Sequence, residues 1–269
     1  LILMANTGTP DNPAYGARKD IDDYRNFFRS DEGGAWEENE ILTFYSTDEE
    51  PLTKTFLLGT ILERQKNGTE YFLIVFCGHG GATSKGESFF ELSPGEICGL
   101  GTLKAILNSS KYMLIADSCR SIELLKEGRR IPAIRTFRQV VSDSPYRKLC
   151  RDCYNRIIAK SSSSAYTICY AATLDETAQD LGCLHGGFFS QTLLNTVSQR
   201  IPMLQQRVAN EGEFCKYVNL SACVSVITDA MAQKSGNNQH PQCECKGGVD
   251  ELPFIVCLSR RYSYKSMHC

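Results

Sequence analysis

Two stretches decide the fold: Tyr71-Phe-Leu-Ile-Val-Phe-Cys77-Gly-His79-Gly-Gly81 and Tyr112-Met-Leu-Ile-Ala-Asp117-Ser-Cys119-Arg120. Each is a nearly continuous apolar run that stops on a polar cluster. A strand in an open antiparallel sheet alternates apolar and polar residues, whereas one covered on both faces, as in a helix-flanked parallel sheet, is apolar throughout. Similar runs occur at Leu1 to Asn6, Ile41 to Ser46, Ala165 to Ala171 and Phe254 to Leu258. Helical patterns lie between them. Asp20 to Phe28 carries Ile21, Tyr24, Phe27 and Phe28 on one face, and Leu52 to Leu62 follows Pro51 at a helix start. Leu100 to Leu107, Gly187 to Val197 and Tyr217 to Met231 complete the set. The alternation predicts an α/β fold: a three-layer sandwich with a central, mostly parallel sheet of about six strands and helices on both faces.

Composition narrows the function. The 269 residues form one expected domain, 42% hydrophobic and 22% charged, an ordinary balance for a globular chain. A net charge of -2 lacks the concentrated positive charge that nucleic acid requires. The longest apolar run, Tyr71 to Cys77, falls far short of the ~20 residues of a membrane span. Neither nucleic acid nor membrane is an expected partner. The chain opens on Leu1-Ile-Leu-Met-Ala5 without an initiator Met, which reads as a fragment beginning on a strand, with upstream sequence missing. Thirteen Cys are scattered over apolar strands, at Cys77, Cys169 and Cys257 among others, without the compact spacing of a disulfide framework. Buried free thiols in a reducing cytoplasm are the expectation.

The chemistry sits at the ends of the two quoted strands. Ligands bind at the carboxyl ends of strands in open α/β sheets, and His79 and Cys119 both fall there. A thiol needs a base or a positive neighbour to react at neutral pH, and an imidazole supplies either role. Glycines flank His79, so the amides of Gly80 and Cys119 are the expected donors to the oxyanion of a tetrahedral intermediate. The chain has four His; His185, His240 and His268 lie in less suitable contexts. The bland alternative is a histidine bonded at a strand end and an inert buried thiol.

These residues resemble the caspase, metacaspase and paracaspase superfamily of cysteine peptidases. In that family His-Gly follows the third strand and the nucleophilic Cys the fourth, as His79-Gly80 and Cys119 do here. Gly16-Ala-Arg-Lys-Asp20 resembles the first-helix motif, Tyr170-Ala-Ala-Thr173 the end of the fifth strand, Gly187-Phe-Phe-Ser-Gln-Thr-Leu-Leu194 the following helix, and Gln239-His-Pro241 precedes the final strand. The resemblance spans nearly the whole chain. It implies a large-subunit-like half over 1–117, a nucleophile loop and basic linker over 118–164, and a small-subunit-like half over 165–269.

It also implies an activity. Caspases that cleave after Asp carry Gln-Ala-Cys at the nucleophile, whereas metacaspases and paracaspases carry Asp-x-Cys, and this chain has Asp117. A carboxylate at the pocket floor pairs with a substrate guanidinium or ammonium, so the expected substrates are proteins or peptides with Arg or Lys at P1, the residue before the cleaved bond. Asp20 matches the second carboxylate of that pocket, with Asp22 and Asp23 near enough to compete, or is simply an acid favouring a helix N-terminus. Asp175, Glu176 and Asp180 read as surface acids. Arg129-Arg130, Arg135, Arg138, Arg147-Lys148, Arg151, Arg156 and Lys160 make the linker a self-cleavage candidate, or an exposed charged loop. Many metacaspases need calcium, but the stretch from Ala82 to Leu100 has only Glu87, Glu91 and Glu96 and looks like a hairpin, so calcium independence and no cofactor are expected. Cys150-x-x-Cys153 with His240, Cys243 and Cys245 is a weak zinc candidate, and no metal site is assigned. Two alternatives stay open: a catalytically silent caspase-like scaffold, and a peptide ligase working through the same thioester.

Overall fold

The computed structural model describes residues 1–47, 50–120, 144–236 and 238–259. Its centre is a six-stranded sheet. We number these strands β1 (Ile2–Asn6), β2 (Leu42–Ser46), β3 (Tyr71–Cys77), β4 (Lys111–Asp117), β5 (Tyr166–Tyr170) and β6 (Gln242–Cys245). They lie in the order β6-β5-β4-β3-β1-β2, all parallel except β6, which pairs antiparallel with β5. The helices are α1 (Ala17–Arg29), α2 (Lys54–Lys66), α3 (Leu100–Leu107), α4 (Pro145–Lys160), α5 (Phe188–Glu211) and α6 (Leu220–Lys234). Successive side chains of a strand point to opposite faces, and the core divides accordingly. Leu3, Leu73, Val75, Met113 and Ile115 pack with α1, α4, α5 and α6, while Met4, Ile74, Phe76 and Leu114 pack with α2 and α3. That is the predicted three-layer α/β sandwich. Covering both faces removes every core side chain of β3 and β4 from water, which stabilises the fold by about 2 kcal/mol for a side chain the size of Leu114. Among the described residues no helix is long and apolar enough to cross a membrane.

Three local expectations are corrected. The run at Phe254 to Leu258 is a buried strand, Pro253–Leu258, but it pairs antiparallel with Cys215–Asn219 in a separate ribbon rather than in the central sheet. The sixth sheet strand is instead the short, polar Gln242–Cys245, at the edge. Continuous apolar sequence reports burial on both sides, not the identity of the pairing partner.

The second correction concerns 118–164. Its last part is α4, started by Ser144, whose side chain accepts from the Arg147 amide at 3.1 Å, and by Pro145 in the first turn. Cys150, Cys153 and Tyr154 are its buried face. Arg147 is 4% exposed and donates to the Trp36 carbonyl at 3.1 Å, with Glu37 and Asp31 beside it. Arg151 donates to the Gly34 carbonyl at 3.2 Å, pairs with Glu40 and stacks over Trp36 at 4.7 Å. About a third of the basic linker is therefore a helix held by its arginines. Arg129, Arg130, Arg135 and Arg138 lie outside the described residues.

Third, the cysteines are not all free. Cys153 of α4 is bonded to Cys215 of the outer ribbon across a separation of 62 residues. Their proximity comes from packing α4 against that ribbon, which no local spacing announces. Cys77, Cys169 and Cys257 are buried and free, as expected.

Candidate active site

Parallel pairing of β3 with β4 matches Cys77 to Asp117, and the Gly78 amide extends the ladder by donating to the Asp117 carbonyl at 3.1 Å. His79 and Cys119 therefore each stand two residues past the same rung. Two glycines make the exit possible. Gly78 has φ +145°, and a side chain there would meet the Asn6 carbonyl at 2.5 Å; one at Gly80 would meet the Ser118 hydroxyl at 2.8 Å. The His-Gly and Ser-Cys loops consequently lie backbone against side chain, with no room for anything larger.

A third chain segment orients the imidazole. The buried Asn6 side chain accepts from the Gly8 amide at 2.9 Å and donates to the Glu91 carbonyl at 2.7 Å, which pins a small hairpin, Gly8–Thr9 with Asn12–Pro13. The Asn12 carbonyl of that hairpin lies 2.8 Å from His79 Nε2. A carbonyl only accepts, so Nε2 carries a proton and, in the neutral ring, Nδ1 is left as the base. Gly8, at φ +73°, is required: a side chain there would lie 2.1 Å from the Asn12 oxygen and 2.6 Å from His79 Nε2. No sequence pattern pointed to Asn12, because its contribution is a backbone atom.

Cys119 is held by residues 173–178. Its Sγ accepts from the Ala178 amide at 3.3 Å and donates to the Ala178 carbonyl at 3.5 Å, and burial pushes the thiol pKa up. The Arg120 backbone anchors the same loop, its amide donating to the Glu176 carbonyl at 2.9 Å and its carbonyl accepting from the Asp175 amide at 3.2 Å, while its Nε donates to Ser88 at 2.9 Å and its guanidinium covers Tyr170 at 4.1 Å. Glu176 is bonded to the Thr173 and His240 amides and to the His240 ring, and Asp180 accepts from the Gly16 amide at 3.1 Å. Glu176 and Asp180 are thus structural acids rather than the surface acids expected. Asp175 is exposed.

Asp20 and Asp117 meet at the start of α5. Asp117 Oδ2 accepts from the Ser190 amide at 3.0 Å and its hydroxyl at 2.5 Å, while Asp20 accepts from the Gly187 amide at 2.6 Å and from Gln191 Nε2 at 2.7 Å. A side chain on Gly187 would come within 2.5 Å of one carboxylate and 3.0 Å of the other. Free amides of a helix's first turn favour negative charge. Burial outweighs them: Asp20 is 1% and Asp117 6% exposed, and no lysine, arginine or histidine forms an ion pair with either among the described residues. Desolvation therefore raises both pKa values, that of Asp117 to about 6 and that of Asp20 well above the carboxylate range, the Asp117 charge adding to the latter. Asp22 is not in this group, and Asp23 pairs with Lys19 and Gln191. Ser190 and Gln191 were missed as site residues, although the Gly187-to-Leu194 motif contained them.

A stability prediction follows with a definite sign. The folded pKa of Asp117 lies above its unfolded value of ~3.9, so its contribution is fully present below that value and is lost as pH rises through about 6. The melting temperature of Asp117→Asn relative to the native protein is expected to be higher at pH 7.5 than at pH ~4.5. Thermal melts of both at the two pH values check this, and an unchanged difference would contradict it.

The metal expectations fare differently. The Ser88–Ser93 and Glu96–Gly99 strands form the expected hairpin, where the Glu91 and Glu96 carboxylates accept from the Gly95 and Lys54 amides at 2.9 and 2.8 Å. The weak zinc candidate is not assembled: Cys153 is in the disulfide, and Cys150, His240, Cys243 and Cys245 do not converge.

No protein-family model matches this chain, and no curated protein matches it. Among solved structures it is similar to protein GSU0716 from Geobacter sulfurreducens, a structural genomics target. The two are 14% identical over 95% of this chain and 98% of that one, with a TM-score of 0.48.

Proposed function

We propose that this chain is a cysteine endopeptidase of the caspase and metacaspase kind, cleaving after Arg or Lys. The observation that carries the reading is the pair of buried carboxylates, Asp20 and Asp117, which no cation balances among the described residues, with Cys119 and His79 leaving paired strands at one rung. A basic side chain supplies the missing charge. Burial of unpaired acids costs stability, and a protein retains such an arrangement where a ligand repays it.

The reading implies the following chemistry. His79 Nδ1 takes the thiol proton as Cys119 Sγ bonds to the substrate carbonyl carbon. The Gly80 and Cys119 amides receive the oxyanion. As the C–N bond breaks, His79 returns the proton to the leaving amine, giving a thioester; water, deprotonated by His79, then releases the acid and restores the thiol. Asn12 keeps the ring turned for both transfers.

The contact between Cys119 and the Ala178 backbone supports a resting state in which substrate must displace residues near 178 before the thiol is free. The same contact favours the second reading, a catalytically silent scaffold of this fold. Cleavage at Arg129, Arg130, Arg135 or Arg138 is a candidate trigger. A cytoplasmic location belongs to this proposal through the free described cysteines, while the Cys153–Cys215 bond argues for an oxidising compartment.

The deciding experiment is a panel of fluorogenic peptides that differ only at P1. Turnover is expected with Arg and Lys and not with Asp. Efficient cleavage after Asp with none after Arg would overturn the pocket assignment, and no turnover of any peptide, before or after limited proteolysis, would favour the scaffold.

A further inference from the structure

The slot beneath Gly187 contains a third chemical type. Cys77, the last residue of β3, is 1% exposed, and its Sγ and one oxygen each of Asp20 and Asp117 all lie within 4.8 Å of one another. Two further oxygens border this group. The Ser190 hydroxyl is 3.9 Å from Cys77 Sγ and 2.5 Å from Asp117 Oδ2. Among the described residues the Tyr24 hydroxyl is fully buried without a hydrogen bond of standard geometry; Ser190 is the group that approaches it as a weaker partner, and Cys77, Asp117 and Asp20 also surround it.

A buried hydroxyl without a well-formed hydrogen bond is rare and asks for an explanation. Two buried carboxylates that no cation balances among the described residues ask for the same one. We propose that Asp20, Cys77 and Asp117 form a binding site for one soft divalent transition cation, zinc in the first instance, with Ser190 and Tyr24 lining it. The donor set selects the ion. A thiolate with two carboxylates suits zinc and its first-row neighbours, whereas calcium and magnesium want six or more oxygens and no sulfur. Binding replaces the Cys77 S–H bond by a sulfur–metal bond and releases the thiol proton, with any carboxyl protons, to solvent; nothing is oxidised or reduced. Three anionic ligands around a dication leave a single net negative charge, which the Ser190 and Gly187 donors face, in place of buried acids that repel each other.

One consequence rests on the peptidase reading. The ion occupies the carboxylates that would receive a basic P1 side chain, so metal and substrate exclude each other, and zinc inhibits from the floor of the slot rather than from the Cys119–His79 pair.

Cobalt reports a thiolate ligand directly, through its sulfur-to-metal charge-transfer absorption, so the test needs no enzymatic activity. The full chain is titrated with Co2+ alone, under reducing conditions mild enough to keep the Cys153–Cys215 bond, and then with Zn2+ as competitor. The native protein and Cys119→Ala should both show one equivalent of the band, displaced by zinc. Cys77→Ser, which keeps shape and folding, should lose it, with affinity falling by at least the ~10–100-fold that outer ligand partners alone cost; Asp117→Asn should weaken it as well. Agmatine, a free guanidinium-bearing amine, should compete. A band that survives in Cys77→Ser, one that vanishes in Cys119→Ala, or no band in the native protein would each overturn the proposal. A protein that binds cobalt in this pattern yet cleaves no peptide retains the metal site and loses only the peptidase reading.

Discussion

Replacing Cys119 by Ala is expected to lower kcat/KM for Arg- and Lys-terminated peptides by ~10^4-fold or more, to the background left by binding alone. The side chain contributes little to folding, since among the described residues its sulfur is hydrogen-bonded to the Ala178 backbone alone, at 3.3 and 3.5 Å. The melting temperature should therefore stay close to native while turnover disappears. His79→Ala should show a comparable loss, because proton transfer and nucleophile activation act as one unit and their effects do not add. Residual activity within tenfold of native in Cys119→Ala would remove this chain from the cysteine peptidases. Mass spectrometry of an Arg-chloromethylketone adduct offers an independent check, with label expected on Cys119 and absent from the variant.

Asp117→Asn carries the second large effect. The amide is isosteric and still accepts from the Ser190 amide and hydroxyl, now at 3.0 and 2.5 Å from Oδ2, so the site keeps its shape and loses its charge. A buried charge-assisted pair broken on one side costs several kcal/mol, which puts the loss of kcat/KM toward P1 Arg at ~10^2–10^4-fold. A neutral P1 isostere such as citrulline should be affected far less. The pH profile separates this from general damage. Only the ionised carboxylate attracts a cation, so native kcat/KM toward Arg peptides rises as pH passes through about 6. Bound substrate pulls that pKa down, so the rise in kcat comes at lower pH than the rise in kcat/KM. In Asp117→Asn this acidic limb should be missing from kcat/KM. Equal losses toward Arg and citrulline peptides, or an unchanged limb, would show that Asp117 does not receive the side chain. Asp20, further buried, is expected to act with it.

The apolar runs of β1, β3 and β4 were legible because burial on both faces leaves a local mark: nearly every residue is apolar, whichever neighbour it meets. His79, Gly80, Asp117 and Cys119 were legible for a related reason, as polar residues at the abrupt end of such runs. Asp20 was legible only as one of three nearby acids, and the bond from the Gly187 amide sets it apart from Asp22 and Asp23. α4 carried its start signal, Ser144-Pro145, but its arginines disguised it as a charged loop until their partners, the carbonyls of Trp36 and Gly34, were in view.

The sequence by itself determined the layer architecture and which residues stand at the strand ends, since both depend on patterns within ten or so neighbouring residues. Only the tertiary structure decided what those residues meet. It matched Cys77 to Asp117 across β3 and β4, aimed the Asn12 carbonyl at His79, set Ala178 on Cys119, joined Cys153 to Cys215 and gave the sheet edge to Gln242–Cys245. Each of these is a contact between segments far apart in the chain, several of them through backbone atoms that every residue shares. Periodicity reports which faces of an element are buried, whereas partner and register come from packing the whole chain at once.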